Sequence, residues 1–199
     1  MGKIFYIMGK SASGKDSVFK MLIADKELKL QTVTMYTTRP PRTGEEDGRE
    51  YFFRDAEFLG KMKAEGKVIE CRTYETVCGP WSYFTLDDGQ IALDKASYLM
   101  IGTLESFENT KNYFEKKGQD VLVPFYIHVE DGERLLRAVN REQLQKEPHF
   151  AEVCRRFLAD EADFCRENLD RCGIEQIFEN QDLENCVEKI KREIFEHLS

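Results

Sequence analysis

The chain has 199 residues, 41% of them apolar and 33% charged, enough to bury a core without disulfides or a structural metal, and it excludes a disordered or collagen-like polymer. Its formal charge of -8, from 29 basic and 37 acidic side chains, argues against non-specific nucleic-acid binding, which needs phosphate neutralised over a broad basic face. No window approaches the roughly 20 uncharged apolar residues of a membrane span, and Gly2 and Lys3 precede any signal-peptide apolar region, so a cytoplasmic protein with neither membrane nor nucleic-acid partners is expected.

In chain order, apolar runs and breakers alternate between short strands and amphipathic helices. This predicts an α/β fold with a mostly parallel sheet and helices on both faces. A buried strand is expected over residues 4–8, then a glycine-rich loop, then a helix over 15–26 with Val18, Phe19, Leu22 and Ile23 at helical spacing. Between about residues 33 and 88 the pattern changes to short β-rich pieces at 51–53, 67–73 and 81–85 with one helix at 55–65. That stretch reads as a small inserted lobe. The polar segment 39–50 is its one extended loop, and long ordered loops are often functional. The alternation then resumes: strand 97–101, helix 103–117, strand 121–129, helix 131–141, one long helix over 150–168 and a short strand at 175–178. Asp182 caps a closing helix with Val187, Ile190, Ile194 and Leu198 on one face.

The six cysteines (Cys71, Cys78, Cys154, Cys165, Cys172, Cys186) include no C-x-x-C pair and have no histidine at zinc-ligand spacing, so they read as reduced thiols. His128, His149 and His197 are scattered and read as structural or solvated.

The strongest local signal is Gly9-Lys-Ser-Ala-Ser-Gly14-Lys15-Asp16-Ser17, between the first strand and the first helix. It matches G-x-x-x-x-G-K and then places Asp where Ser or Thr is usual. Glycines let successive backbone N–H groups turn around phosphate oxygens, the helix start adds its positive end, and Lys15 reaches the β/γ-phosphates as a point charge. Gly9, Ser11, Ala12, Ser13, Gly14, Lys15, Asp16 and Ser17 are therefore the expected ATP contacts, with Ser17 the candidate metal-side hydroxyl. Whether Asp16 faces Mg2+ or solvent is open at this stage. A second constellation follows by about 25 residues: Thr37-Thr38-Arg39-Pro40-Pro41-Arg42, then Gly44-Glu45, Gly48, Arg49-Glu50-Tyr51. Two guanidiniums three residues apart, stiffened by prolines and followed by a phenol, suit a phosphate monoester, which Arg grips as a bidentate fork.

Together these segments resemble the guanylate kinases, P-loop kinases that move the ATP γ-phosphoryl group onto GMP. The family's T-T-R-x-P-R-x-G-E-x-x-G-x-D-Y signature is met from Thr37 to Tyr51, with Glu50 in place of Asp. The resemblance implies a P-loop NTPase-type core at about residues 1–32, 89–136 and 169–199, a GMP-binding lobe at about 33–88 and a helical lid at about 137–168. It implies that Arg39, Arg42, Tyr51 and Tyr83 hold the GMP phosphate, while Glu70 and Thr85 meet the guanine. Catalytic cations are expected at Lys15, Arg39, Arg137, Arg141 and Arg156, where they neutralise charge on the transferring phosphoryl group; Asn180 is expected near the adenine. Mg2+ with ATP is the implied cofactor.

Four places depart from the family. Asp16 replaces the P-loop hydroxyl, Met35 stands where a Ser is usual, the strand ending at Gly102 lacks the acidic pair, and residues 77–80 lengthen a hairpin so that Tyr83-Phe84-Thr85 replaces Y-G-[ST]. Two other functions are therefore weighed: a kinase for a base-free sugar phosphate, like the ribose bisphosphate phosphokinases, and a non-catalytic module binding phosphorylated peptides. Such modules typically have a degraded P-loop, whereas Gly9, Gly14 and Lys15 are present here.

Overall fold

Five consecutive apolar residues form β1 (Ile4–Met8), and every one is buried. Their alternation feeds two cores: Ile4, Tyr6 and Met8 enter one cluster, Phe5 and Ile7 another. A strand buried on both faces needs cover on both sides. The structure, a computed structural model describing residues 1–42, 44–76 and 79–198, supplies it. After β1 come α1 (Lys15–Ala24), β2 (Gln31–Thr32), β3 (Tyr36–Thr37), β4 (Phe52–Phe53), α2 (Ala56–Ala64), β5 (Val68–Thr76) and β6 (Gly79–Leu86). The chain continues through β7 (Tyr98–Gly102), α3 (Leu104–Lys116), β8 (Leu122–His128), α4 (Asp131–Gln143), α5 (Phe150–Asp163), α6 (Arg166–Arg171), β9 (Ile177–Glu179) and α7 (Leu183–Leu198).

The main sheet runs β2-β7-β1-β8-β9 with every pair parallel. Val18 and Leu22 of α1 and Val187, Ile190 and Ile194 of α7 cover the Phe5 face. Phe107 and Phe114 of α3 cover the Tyr6 face, with Leu169 of α6. The sequence-based expectation of a mostly parallel sheet between helices holds. All five strands end on one side, where open parallel sheets bind ligands.

A second sheet, β4-β3-β6-β5, is mixed: β3 pairs parallel with β4 and antiparallel with β6, and β5 with β6 is antiparallel. With α2 it closes a separate core of Tyr36, Leu59, Met62, Phe84 and Leu86. Asp55 starts α2 by accepting from the Phe58 N–H at 2.7 Å, as Asp182 starts α7 by accepting from Asn185 at 2.8 Å.

Two expectations change. The single helix predicted over 150–168 is two, because Phe164 turns inward to stack on Tyr126 at 5.4 Å and the Asn168 amide closes the end of α5 on the Ala162 and Asp163 carbonyls at 3.0 and 3.2 Å. The two-residue strands β2 and β3 are too short for periodicity to register. Cys71, Cys154, Cys165, Cys172 and Cys186 are free thiols; Cys78 and Val77, part of the lengthened hairpin, lie outside the described residues. Among the described residues no helix is long and apolar enough to cross a membrane.

Candidate active site

Residues 9–17 leave the carboxyl end of β1 and turn directly into α1. The turn holds Ala12 at φ 62° and Gly14 at φ 83°, the left-handed region open to glycine, and a Cβ on Gly14 would run into the Asn180 amide. At Gly9 the obstacle is backbone, since a Cβ would sit 2.5 Å from the Ile127 carbonyl oxygen. Helix α1 starts without a side-chain cap, and the buried Ser13 hydroxyl has no hydrogen-bond partner. Uncapped N–H groups at a helix start, beside an orphaned hydroxyl, fit an anion such as phosphate. Lys15 is half-buried, its Nζ 3.9 Å from Asp16 Oδ2, while Asp16 and Ser17 are exposed. The expected adenine neighbour Asn180 is buried, with its Nδ2 donating to the Ser13 carbonyl at 2.8 Å. Its side chain therefore fastens the loop, and its own carbonyl accepts from Arg137 at 3.4 Å.

The loop after β3 gathers the second set. Thr37 Oγ1 donates to the Ser82 carbonyl at 3.0 Å and Thr38 Oγ1 accepts from the Ser82 N–H at 2.8 Å, so the two threonines pin the loop to β6. Arg39, only 3% exposed, forks onto Glu45 with both distances 2.9 Å. Its Nε is buried without a partner. The guanidinium lies 5.7 Å from the Tyr51 ring centre, and Tyr51 meets Tyr83 edge-on at 5.6 Å; Arg39, Tyr51 and Tyr83 therefore converge as the sequence suggested. Arg42 is exposed, and its backbone N–H donates to Glu45 at 2.7 Å. The Arg39 fork and this N–H hold the Glu45 carboxyl below the usual range. Glu50, the substituted position, accepts from the Glu46 N–H at 2.9 Å and from Arg49 Nε at 2.6 Å, so the longer acid still folds the loop on itself.

Glu70 and Thr85 face each other across β5 and β6. Thr85 donates to Glu70 Oε1 at 3.2 Å and Arg72 Nε donates to Oε2 at 3.1 Å. Burial pushes the Glu70 carboxyl above the ordinary carboxylate range, against the opposing pull of Arg72 and Thr85. Arg72, rather than Glu70, lines a cavity of about 860 Å³ together with Met35, Tyr51, Tyr83, Gly102 and Arg156. One position of the absent acidic pair on β7, Gly102, has little room for a side chain. A Cβ at Gly102 would collide with the Tyr6 and Ser106 hydroxyls, which are hydrogen-bonded to each other at 2.7 Å.

Helix α5 carries Arg155 and Arg156, both paired with Glu152, with Nε distances of 2.7 Å each. The Arg155 hydrogen bonds, with Arg156 beside them, pull the Glu152 carboxyl down to about 2. A smaller cavity of about 150 Å³ brings Ser11 of the loop together with Arg141 and Arg156. Arg156 lines both cavities.

Sequence reasoning missed the cluster between the glycine-rich loop and the helical pair. Lys10 Nζ lies 2.6 Å from Glu161 and 3.3 Å from Asp131, and the Ser11 N–H donates to Asp160 at 2.7 Å. Buried Arg134 pairs with Asp131 at 2.7 Å and with Glu161, and sits 3.9 Å over the Phe157 ring. The second lysine inside the loop was a visible signal; that its partners lie 121 and 151 positions away was not.

A family model described as guanylate kinase matches residues 1–79. The chain is 29% identical to a guanylate kinase of Mycoplasma mobile over 98% of this chain and 95% of that one. It is 25% identical to a guanylate kinase of Porphyromonas gingivalis over the whole of both chains. Among solved structures, a guanylate kinase from Anaplasma phagocytophilum superposes with a TM-score of 0.60 at 20% identity, covering 98% of this chain and 86% of that one, and shares its fold. The loop after β1, the Arg39 to Tyr51 segment in its own small sheet, and relatives of one kind agree: the chain is similar to the guanylate kinases from end to end.

Proposed function

We propose that this protein transfers the γ-phosphoryl group of ATP to GMP. The observation that carries the reading is Arg156, which borders the glycine-rich loop on one side and the large cavity of Tyr51 and Tyr83 on the other. A phosphoryl group passing between those cavities stays within reach of that cation, and positioning with cationic charge is nearly all that this chemistry asks of a protein. In this reading the loop N–H groups and Lys15 hold the ATP phosphates, and Arg39, Arg42, Tyr51 and Tyr83 hold the acceptor phosphate. Arg137, Arg141 and Arg156 approach from the lid. The main sheet is the core, residues 33–88 are the acceptor lobe and residues 137–168 the lid, whose closure excludes water.

Mg2+ accompanies ATP in this scheme. The exposed Ser17 hydroxyl and Asp16 carboxylate at the start of α1 fit a cation that keeps several waters and takes one or two protein oxygens beside the phosphates. Bound there, it would neutralise charge on the phosphoryl oxygens.

A second reading, phosphorylation of a base-free sugar phosphate, draws support from the Glu70 carboxylate already engaged by Arg72 and Thr85. A coupled assay of ATP turnover against GMP, dGMP, AMP, UMP and ribose phosphates separates the two. GMP as the preferred acceptor is expected; turnover confined to ribose phosphates would replace the proposal with the second reading.

A further inference from the structure

The base end of the large cavity presents a cation where the family resemblance implies a free carboxylate. The Glu70 side chain is 1% exposed, and each of its oxygens already accepts a hydrogen bond, one from Arg72 and one from Thr85. Arg72 stands between it and the cavity. Its Nε is fixed on Glu70 and its Nη1 donates to Thr103 Oγ1 at 3.3 Å; among the described residues Nη2 has no hydrogen-bond partner. Arg72 is 9% exposed, and the cavity is what that exposed part faces. The nitrogen without a protein partner is therefore a donor available to a ligand in that cavity.

The opposite wall is equally changed. Gly102 has no room for any side chain, because the hydrogen-bonded Tyr6 and Ser106 hydroxyls fill the space. No carboxylate on β7 can therefore accept from a base amino group there.

We infer that Arg72 reads the O6 and N7 edge of the acceptor guanine, and that Glu70 is the positioning carboxylate that aims it. This rests on the reading of the protein as a GMP kinase. The chemistry is complementary: guanine offers two adjacent acceptors at O6 and N7, the pair that an arginine fork matches. Adenine puts an amino donor beside N7, so two donors would oppose each other. Each Glu70 oxygen keeps a second acceptor lone pair, so Arg72 adds recognition of the O6 and N7 edge to what Glu70 can accept from N1 and N2.

The test uses the wild-type protein with saturating ATP and measures kcat/KM for GMP, IMP, 7-deaza-GMP, AMP and ribose 5-phosphate. IMP keeps O6 and N7 but lacks the N2 amino group; 7-deaza-GMP keeps N1 and N2 but lacks N7. Expected is 7-deaza-GMP and AMP lower than GMP by about ten- to a hundredfold, the discrimination of a bidentate contact, with a smaller loss for IMP. Arg72→Lys, which keeps the charge and loses the fork, should raise KM for GMP without moving KM for ATP, and should level GMP with 7-deaza-GMP. A large loss with IMP and none with 7-deaza-GMP would overturn the inference in favour of direct recognition by Glu70. Equal rates with all three purines carrying O6 would overturn it too, because the base would then go unread. Turnover of ribose 5-phosphate alone would remove the GMP reading itself and this inference with it, an outcome distinct from either.

Discussion

The two regions proposed to bind phosphate are built from different materials. The donor loop uses backbone: N–H groups at an uncapped helix start and a chain bent through Ala12 and Gly14 at positive φ. The acceptor side and the lid use guanidiniums, and the structure gives most of them an internal carboxylate: Arg39 has Glu45, Arg72 has Glu70, and Arg155 and Arg156 share Glu152. For the buried Arg39 and Arg72 the reason is desolvation. A backbone dipole can wait for its ligand at modest cost, but a buried cation without a counter-ion costs several kcal/mol. A ligand therefore enters the donor loop largely by filling it, whereas on the acceptor side it must share or displace a partner. In that loop a side chain, Asp160, holds the Ser11 N–H, and the Lys10 and Gly14 carbonyls accept from the Ser13 and Ser17 N–H groups.

Lys15 tests the donor half and carries the largest expected effect. Among the described residues its one ion pair is with the exposed Asp16 at 3.9 Å, so Lys15→Ala should leave the melting temperature nearly unchanged while lowering kcat by about a hundredfold or more, the usual consequence of losing a group that stabilises transition-state charge. Near-normal turnover in the folded variant would remove the P-loop assignment.

The acceptor half should behave differently within itself. Arg42 is exposed and its guanidinium is without a carboxylate partner among the described residues, whereas Arg39 is buried on Glu45. Both Arg39→Ala and Arg42→Ala should raise the acceptor KM far more than that of ATP, each by the roughly 1.5 to 3 kcal/mol of a charge-assisted hydrogen bond. Only Arg39→Ala should also lower the melting temperature, because it strips a packed, ion-paired side chain from between Tyr51 and Phe53. Equal KM effects on both substrates would place these arginines outside the acceptor site. Equal thermal effects of the two variants would show that the Glu45 pair stores no stability.

What could be read from the sequence follows the same division. The P-loop was legible because its function is written in backbone geometry, and glycine spacing records backbone geometry directly. Strand β1 was legible as an unbroken apolar run, and helices α1 and α7 because burial on one face imposes a period. The Arg39 to Tyr51 segment was legible as a candidate set of phosphate donors, but not its internal wiring: nothing in the spacing tells that Glu45 takes both ends of the Arg39 fork. Arg72 escaped notice entirely, although it lies two residues from Glu70 on the same face of β5, because strand alternation alone does not say which of two same-face residues fronts the cavity. The break between α5 and α6 was hidden for a related reason. Phe164 fits a helical pattern as well as it fits the Tyr126 ring that draws it out of one, and only tertiary packing decides between them.

The smallest effect belongs to Glu152, and it measures how much the partnered cations contribute before any ligand arrives. Its carboxyl titrates at about 2 in the folded chain, pulled down first by the Arg155 hydrogen bonds and then by Arg156. A carboxyl lowered on folding stabilises the native state above its unfolded value, near 4.5, and that stabilisation fades as pH falls from there to about 2. The group is 39% exposed and its partners more so; solvent screening keeps such pairs below about 1 kcal/mol, whatever the size of the shift. Glu152→Gln should therefore lower the melting temperature only slightly at pH 7, by the same amount at pH 5.5, and by progressively less between pH 4.5 and pH 3. The same substitution releases Arg155 and Arg156 towards the cavity that both line, so the KM for the acceptor should fall or stay level. A gap in melting temperature that widens on acidification would reverse the assigned sign, and a rise in KM would mean that Glu152 holds these arginines in place for the ligand instead of competing with it.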